Sequence, residues 1–178
     1  MKKSIMTSVI ALSMMGGVAH AANSDNSVLF HGAVSTTTCD LSPSQNGRVL
    51  SGSAVYLGTV APNAEGQAQE FVLKAGDAKS DSCKALTSQK TATVAWTSAF
   101  LTANGLIADP NHSEATDAQV LLSSVNAKNP GAITASANTA DFTADKVIGE
   151  GLKFKAKAKG GAASGSFQTA ASFSVAYK

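Results

Sequence analysis

The sequence has little histidine and few cysteines, and this shortage bears on metal chemistry. It contains three histidines and two cysteines in 178 residues. Only His31 and His112 lie beyond residue 21, and neither has a second ligand at a metal-binding spacing such as His-x-x-x-His. We therefore predict no metal site and no cofactor.

An excess of charge is also missing. The formal net charge of +2 comes from Lys2 and Lys3, so the chain beyond them has equal numbers of acidic and basic residues. A neutral chain has no electrostatic reason to bind nucleic acid or an anionic membrane, and it tolerates association with other copies. We expect no nucleic-acid partner.

Catalytic motifs are absent as well. The glycine-rich run at residues 161–165 contains Ser164, but it lacks the Gly-x-Ser-x-Gly spacing and the strand-to-helix context of a nucleophile turn. Gly149-Glu150-Gly151 is typical of a turn and not of a phosphate loop. The sequence predicts that the protein is not an enzyme.

Long apolar runs are confined to the first residues. Residues 1–21 combine two lysines, an apolar run and the small-residue site Ala19-His20-Ala21, the three parts of a secretory signal peptide. The run is interrupted by Gly16 and Gly17, and no later segment approaches the roughly 20 apolar residues of a membrane span. We expect export and cleavage after Ala21, which leaves one domain.

In an exported chain the two cysteines, Cys39 and Cys83, predict one disulfide bond formed in an oxidising compartment. Two unpaired buried thiols are the alternative. A bridge would close a long loop and stabilise the fold by roughly 4 kcal/mol on the chain-entropy estimate.

Apolar residues recur with a period of two, and helical spacing is scarce. In residues 91–97, Ala92, Val94 and Trp96 alternate with threonines, which predicts a strand with these three side chains inward. Turn residues separate such stretches, and residues 126–145 give no clear pattern. The expected fold is an all-β, antiparallel sandwich of immunoglobulin-like type. The other predicted strands are residues 28–39, 49–60, 69–74, 118–125, 153–159 and 166–177, with a long polar loop at 104–117.

Four lysines alternate with apolar residues between Lys153 and Lys159, which places their ammonium groups on one face of a strand. A solvated face that resists aggregation is one interpretation. A binding patch for an acidic receptor is the other.

The two ends of the mature chain show the clearest patterns. In residues 22–34, one face of an extended chain would carry polar residues first and apolar residues later. A free tail and a strand lent to another molecule are the two interpretations. At the other end, apolar and polar residues alternate up to the terminus. The apolar face holds Phe167, Thr169, Ala171, Phe173, Val175 and Tyr177.

These ends carry a family resemblance. Gly165 lies fourteenth from the end, Tyr177 is penultimate, and apolar residues alternate between them. Near the start, Val28, Phe30 and Gly32 precede Cys39 in the order Val-x-Phe-x-Gly. Together with the signal peptide and Cys83, this resembles the chaperone-usher fimbrial pilins, of the major rod type, over the whole mature chain.

The resemblance implies an incomplete immunoglobulin-like sandwich of six strands that lacks the seventh. In that family a periplasmic chaperone fills the resulting groove along the last strand, and the N-terminal extension of the next subunit later replaces it at the outer-membrane usher. Main-chain hydrogen bonds and alternating side chains would hold the added strand. The implied division is 1–21 signal peptide, 22–29 donor-strand extension and 30–178 pilin domain.

The resemblance also implies roles for residues at both ends. The last strand would contact the chaperone and edge the groove through Gly165, Phe167, Phe173, Val175 and Tyr177. Asn26 departs from the family pattern, which usually has glycine there, and this leaves the docking register open. The groove-facing residues of the donor strand would be Ser24, Asn26, Val28, Phe30 and Gly32.

The expected function is therefore a structural subunit of an adhesive fimbria on the cell surface, with identical or homologous pilin subunits as partners. The alternative is a receptor-binding or tip subunit that recognises host glycans through the loop at 104–117 or through the lysine strand.

Overall fold

The computed structural model describes residues 39–50 and 53–178, and within them the protein is almost entirely β. This confirms the predicted fold class. The signal peptide, the donor-strand extension and the strand predicted before Cys39 lie outside the described residues. The strands are β1 Leu41–Gln45, β2 Arg48–Val49, β3 Gln69–Ala75, β4 Thr91–Thr97, β5 Leu101–Thr102, β6 Gly105–Ile107, β7 Gln119–Ser124, β8 Ala132–Ile133, β9 Thr139–Thr143, β10 Leu152–Lys159 and β11 Ser172–Tyr177.

The larger sheet has the strand order β2-β1-β3-β10-β7-β6-β5, with β8 paired to β7. Its strand pairs are antiparallel. β1 and β2 form a hairpin around Asn46 and Gly47, whose φ angles are 52° and 77°. Positive φ at both central residues is the geometry that an Asn-Gly hairpin turn favours. Asn46 and Gly47 thus form the turn of this hairpin, and β1 runs through Pro43 before reaching it.

The smaller sheet has the order β11-β4-β9. The predicted alternation of β4 is confirmed, since Ala92, Val94 and Trp96 are buried while the three threonines and Ala95 are partly or fully exposed. Among the described residues, the C-terminal strand β11 is one of the two edge strands of this sheet, and β9 is the other.

An aromatic cluster joins the two sheets. The Trp96 ring lies edge-on to Phe154, with centroids 5.2 Å apart, and Phe154 stacks on Phe71 at 5.8 Å. Phe142 of β9 contacts Phe154 at 5.5 Å. Because these rings come from the inner faces of both sheets, the layers form one sandwich with a single main core.

The predicted disulfide bond between Cys39 and Cys83 is present, with Cα atoms 4.9 Å apart. Cys83 lies in the single-turn helix α1, Asp81–Lys84, which Ser80 caps by accepting a hydrogen bond from the Cys83 N–H. Both cysteines are buried. The bond thus fixes the first described residue to the connection between β3 and β4.

Four segments differ from what the sequence indicated. The last strand was expected at 166–177 but is formed only at Ser172–Tyr177. Residues 49–60 were also expected to form a strand, but β2 ends at Val49 and residues 54–60 form no strand. Their side chains still alternate, with Val55 and Leu57 packed against the core. Alternation reports which face is buried, and it cannot report whether a partner strand is in reach.

The polar loop expected at 104–117 contains a short strand, β6. The segment 126–145, which had no clear pattern, contains β8, β9 and the start of a 3-10 helix, Ala144–Val147. These strands are only two to five residues long, too short for periodicity to reveal. The strands of five or more residues, β1, β3, β4, β7, β9, β10 and β11, make up most of the two layers.

Candidate functional site

The C-terminal segment, residues 164–178, is hydrogen-bonded along one of its two edges. From Ser172 onward the bonds go to β4, and Thr91 and Lys178 exchange N–H···O bonds of 2.8 and 2.9 Å. Antiparallel pairs alternate between bonded and non-bonded positions. The even-numbered residues of β11 therefore point their main-chain groups toward β4.

The same side is bonded before β11 begins. The Ser166 carbonyl accepts from the Glu114 N–H at 2.8 Å, and the Gln168 carbonyl accepts from the Asp109 N–H at 2.8 Å. The Ala170 carbonyl accepts from the Ser98 hydroxyl at 2.6 Å. Even-numbered residues thus bond on one side along the whole segment, which continues the line of β11 toward Gly165.

Because main-chain groups alternate along an extended chain, the odd-numbered residues from 167 to 177 direct theirs to the other edge. Within residues 39–50 and 53–178, no strand pairs with this second edge. We call it the outer edge. It has the orientation that addition of another strand requires.

The side chains of the odd-numbered residues face the core but are unevenly covered. Val175 is 3% exposed, whereas Phe167, Ala171, Phe173 and Tyr177 are partly buried and pack against the core from its margin. Partly covered apolar side chains beside an outer edge form a groove margin that a further strand could cover. The C-terminal residues predicted to edge the groove all lie along this segment.

Residues 109–117, which we call the clamp loop, hold the segment in place through side chains. The Ser166 N–H donates to Glu114 Oε2 at 2.8 Å, and the Gln168 N–H donates to Ser113 Oγ at 3.0 Å. The Ala162 N–H donates to Asp117 Oδ2 at 2.6 Å. Hydrogen bonding from the Ser166 backbone N–H lowers the pKa of Glu114 below its model-compound value of 4.5.

Gly165 occupies a conformation that other residues rarely adopt. Its φ is +135°, and a Cβ placed there would lie 2.5 Å from the Cβ of Glu114. Both facts require glycine at this position. The residue picked out by the family resemblance is thus the point where the segment passes under the clamp loop.

Tyr177 ties the end of β11 to the disulfide. Its hydroxyl donates to the Cys39 carbonyl at 3.1 Å. Burial, with a smaller effect of the nearby Asp40 carboxylate, raises the pKa of Tyr177 to about 12. The phenol therefore stays protonated at physiological pH, and this end of the groove margin is held by a contact within the chain.

A cavity of about 480 Å³ opens at the other end of the segment. Small residues dominate its wall, so it has room for an additional side chain. Among the residues lining it are Thr59, Pro62, Ala118, Gly160, Gly165 and Phe167.

The lysine strand is β10, and its apolar partners are buried as predicted: Phe154 and Ala158 are fully covered. Two of the four lysines form ion pairs, Lys153 with Glu150 at 2.9 Å and Lys157 with Glu65 at 2.6 Å. These exposed pairs neutralise half of the row. This favours the interpretation of a solvated face.

Sequence reasoning missed the clamp loop. Asp109, Ser113 and Glu114 were read as members of a polar loop, and nothing in their local pattern indicates which backbone they bind. The donor residues Ser24 to Gly32 lie outside the described residues, so their predicted role remains a prediction.

Among residues 39–50 and 53–178, no group of three or more His, Cys, Asp or Glu side chains could hold a metal ion. Over the same ranges no helix has the length and apolar character needed to cross a membrane.

Two known proteins are similar to this chain. No protein-family model matches the sequence. The crystal structure of the P pilus rod subunit PapA aligns with a TM-score of 0.42 and 18% identity, over 85% of this chain and 100% of that one. The F107 fimbrial protein of Escherichia coli is 42% identical over 179 residues, which cover 100% of both chains. With this identity over its whole length, the chain belongs to the family of fimbrial proteins represented by the F107 protein.

Proposed function

We propose that the protein is a structural subunit of a surface fimbria, and that copies join when the N-terminal extension of one copy pairs with the outer edge of another. The observation that carries this proposal is that outer edge. It is formed by the odd-numbered residues of the C-terminal segment, and among the described residues no strand other than β4 pairs with β11. The similarity to a fimbrial protein supports the same conclusion.

Residues 22–34 are the proposed occupant. They precede Cys39, which lies at the same end of the sandwich as Tyr177, since the two are hydrogen-bonded. The extension therefore joins the sandwich beside the end of the C-terminal segment. Main-chain bonds along the outer edge would supply affinity, and Val28 and Phe30 would add buried apolar area.

Before assembly the groove margin needs another partner, because exposed apolar side chains beside a strand edge promote aggregation. We propose that a periplasmic chaperone covers it during export and that an outer-membrane usher exchanges the chaperone for the next subunit. Once seated, the added strand should dissociate very slowly, so that the fibre is kinetically stable without covalent links between subunits.

The alternative of a receptor-binding subunit has less support. The loop expected to recognise a glycan is engaged with the C-terminal segment through Asp109, Ser113 and Glu114. Half of the lysine row is paired with glutamates. Both surfaces are therefore partly engaged in contacts within the subunit.

Deletion of residues 22–27 tests the proposal. The shortened subunit should still be recovered with its chaperone but should not extend a fibre, whereas the full chain should form a detergent-resistant polymer that dissociates on heating. Unimpaired polymerisation of the shortened chain contradicts the donor-strand proposal. The alternative predicts that fibres without any tip protein bind host glycans on an array.

A further inference from the structure

Two features of the groove margin bear on the register of an added strand. The first is Thr169, whose side-chain oxygen is buried and has no hydrogen-bond partner. A buried hydroxyl without a partner destabilises a structure by about 1–3 kcal/mol. The second is the cavity beside Gly165, four residues earlier along the segment.

The N-terminal extension carries a complementary order of side chains. On the face that would point into the groove, Asn26 is polar and Val28 and Phe30 are apolar. An asparagine side chain can both donate to and accept from a hydroxyl. Phenylalanine has the largest apolar side chain of this set, and half of the residues that line the cavity are glycine or alanine.

We propose that the extension of a second copy docks antiparallel to the outer edge with Asn26 opposite Thr169, which places Val28 opposite Phe167 and Phe30 at Gly165. This inference rests on the proposed function and specifies its register. Directly opposite residues of an antiparallel pair share one face. The Asn26 amide then satisfies the Thr169 hydroxyl, and the Phe30 ring enters the cavity.

Shifting the added strand by two residues keeps the same side chains toward the groove, but it no longer places Asn26 opposite Thr169. If Val28 lies opposite Thr169, the hydroxyl faces an apolar side chain and stays unsatisfied. If Ser24 lies opposite Thr169, Asn26 falls against Phe167 and its amide is placed on an apolar ring. Odd shifts reverse the faces of the strand altogether.

The other end of the segment agrees with this register. With cleavage after Ala21, the mature chain starts opposite Phe173, so the added strand does not extend to Val175 and Tyr177. Val175 is already 3% exposed, and the Tyr177 hydroxyl is bonded to Cys39. The extension therefore covers the partly exposed Phe167, Ala171 and Phe173, and leaves Val175 and Tyr177 to contacts within the subunit. Asn26, unusual for the family resemblance noted above, has a specific partner there.

Paired cysteines in assembled fibres test the register. Opposite residues in a bonded antiparallel pair have Cα atoms about 5.5 Å apart, within the range of a disulfide bond. Full chains carrying Asn26→Cys with Thr169→Cys should give a ladder of covalent oligomers on a non-reducing gel after mild oxidation and heating. Each single variant is a control and should give monomers after heating.

The shifted pairs, Ser24→Cys or Val28→Cys with Thr169→Cys, separate the possible outcomes. A ladder from a shifted pair but not from the Asn26 pair overturns the register and leaves the donor-strand proposal standing. Fibres that form but give no ladder from any of the three pairs also overturn the register. Failure of the proposed function itself is seen separately, as normal polymerisation after deletion of residues 22–27.

A second measurement avoids new cysteines. The rate at which full-chain fibres release subunits in guanidinium should rise about threefold to tenfold for Asn26→Ala and for Thr169→Val, as for the loss of one hydrogen bond. The double variant should be no faster than the single ones, because both remove the same interaction. Thr169→Ser should behave as the unmodified protein. Multiplicative effects of the two substitutions overturn the assignment.

Discussion

β10 and the C-terminal segment have the same alternating pattern in the sequence but opposite situations in the fold. β10 lies between β3 and β7 and is bonded on both sides, and its inward residues Phe154 and Ala158 are 0% exposed. The C-terminal segment is bonded on one side among the described residues, and several of its inward residues are only partly buried. Alternation therefore shows which face of a strand is buried and leaves open how many neighbours the strand has.

The largest expected difference between the two regions is in core packing. Phe154→Ala should lower the free energy of unfolding by about 4 kcal/mol, since it removes a fully buried ring in contact with three other aromatic rings. Phe173→Ala should cost about 2 kcal/mol, because that ring is partly exposed. Urea unfolding of the purified protein measures both. Equal losses of unfolding free energy in the two variants would contradict the inference that β10 is fully enclosed and the C-terminal segment is not.

The next prediction concerns the passage under the clamp loop. Gly165→Ala should destabilise the protein by about 2 kcal/mol, because its backbone is in a region that favours glycine and the new Cβ meets Glu114. Gly131→Ala is the matched control, since a Cβ there meets nothing within 4 Å. Gly165→Ala should have the lower urea midpoint of the two. Similar midpoints would show that the backbone at residue 165 does not require glycine.

A smaller effect is expected where β11 is tied to the disulfide. Tyr177→Phe removes the hydrogen bond to the Cys39 carbonyl and should cost about 1 kcal/mol. Tyr56→Phe is the control, because Tyr56 is 82% exposed. Thermal unfolding should show a lower Tm for the first variant alone. An unchanged Tm for Tyr177→Phe would mean that the hydrogen bond between Tyr177 and Cys39 does not stabilise the fold.

The smallest effect is a pH dependence at the clamp loop. The folded state lowers the pKa of Glu114 below 4.5, so its contribution to stability is present above about pH 4.5 and is lost as the pH falls through the lower folded value. Protection of the Ser166 amide against hydrogen exchange should fall over that window. In Glu114→Gln this protection should be weaker at neutral pH and should vary less with acidification, and Glu70→Gln on β3 should behave as the unmodified protein.

Much of the fold could be predicted from the sequence. The patterns of β4 and β10, the disulfide partners and the turn at Asn46-Gly47 follow from spacing, cysteine number and turn chemistry, which are local properties. Residues 54–60 could not be predicted correctly, because pairing depends on where another strand lies. The clamp loop could not be found for the same reason: its contacts join residues about 50 positions apart, such as Glu114 and Ser166.

The sequence by itself determined the two alternating ends of the chain and the glycine at position 165, since side-chain period and backbone freedom are encoded residue by residue. Only the tertiary structure decided that the main-chain groups of the even-numbered residues bond to β4 and the clamp loop, while those of the odd-numbered residues point to the outer edge. Strand pairing is a relation between distant segments. The outer edge is therefore defined by the three-dimensional pairing of the segment with β4 and the clamp loop, and the local sequence pattern does not encode it.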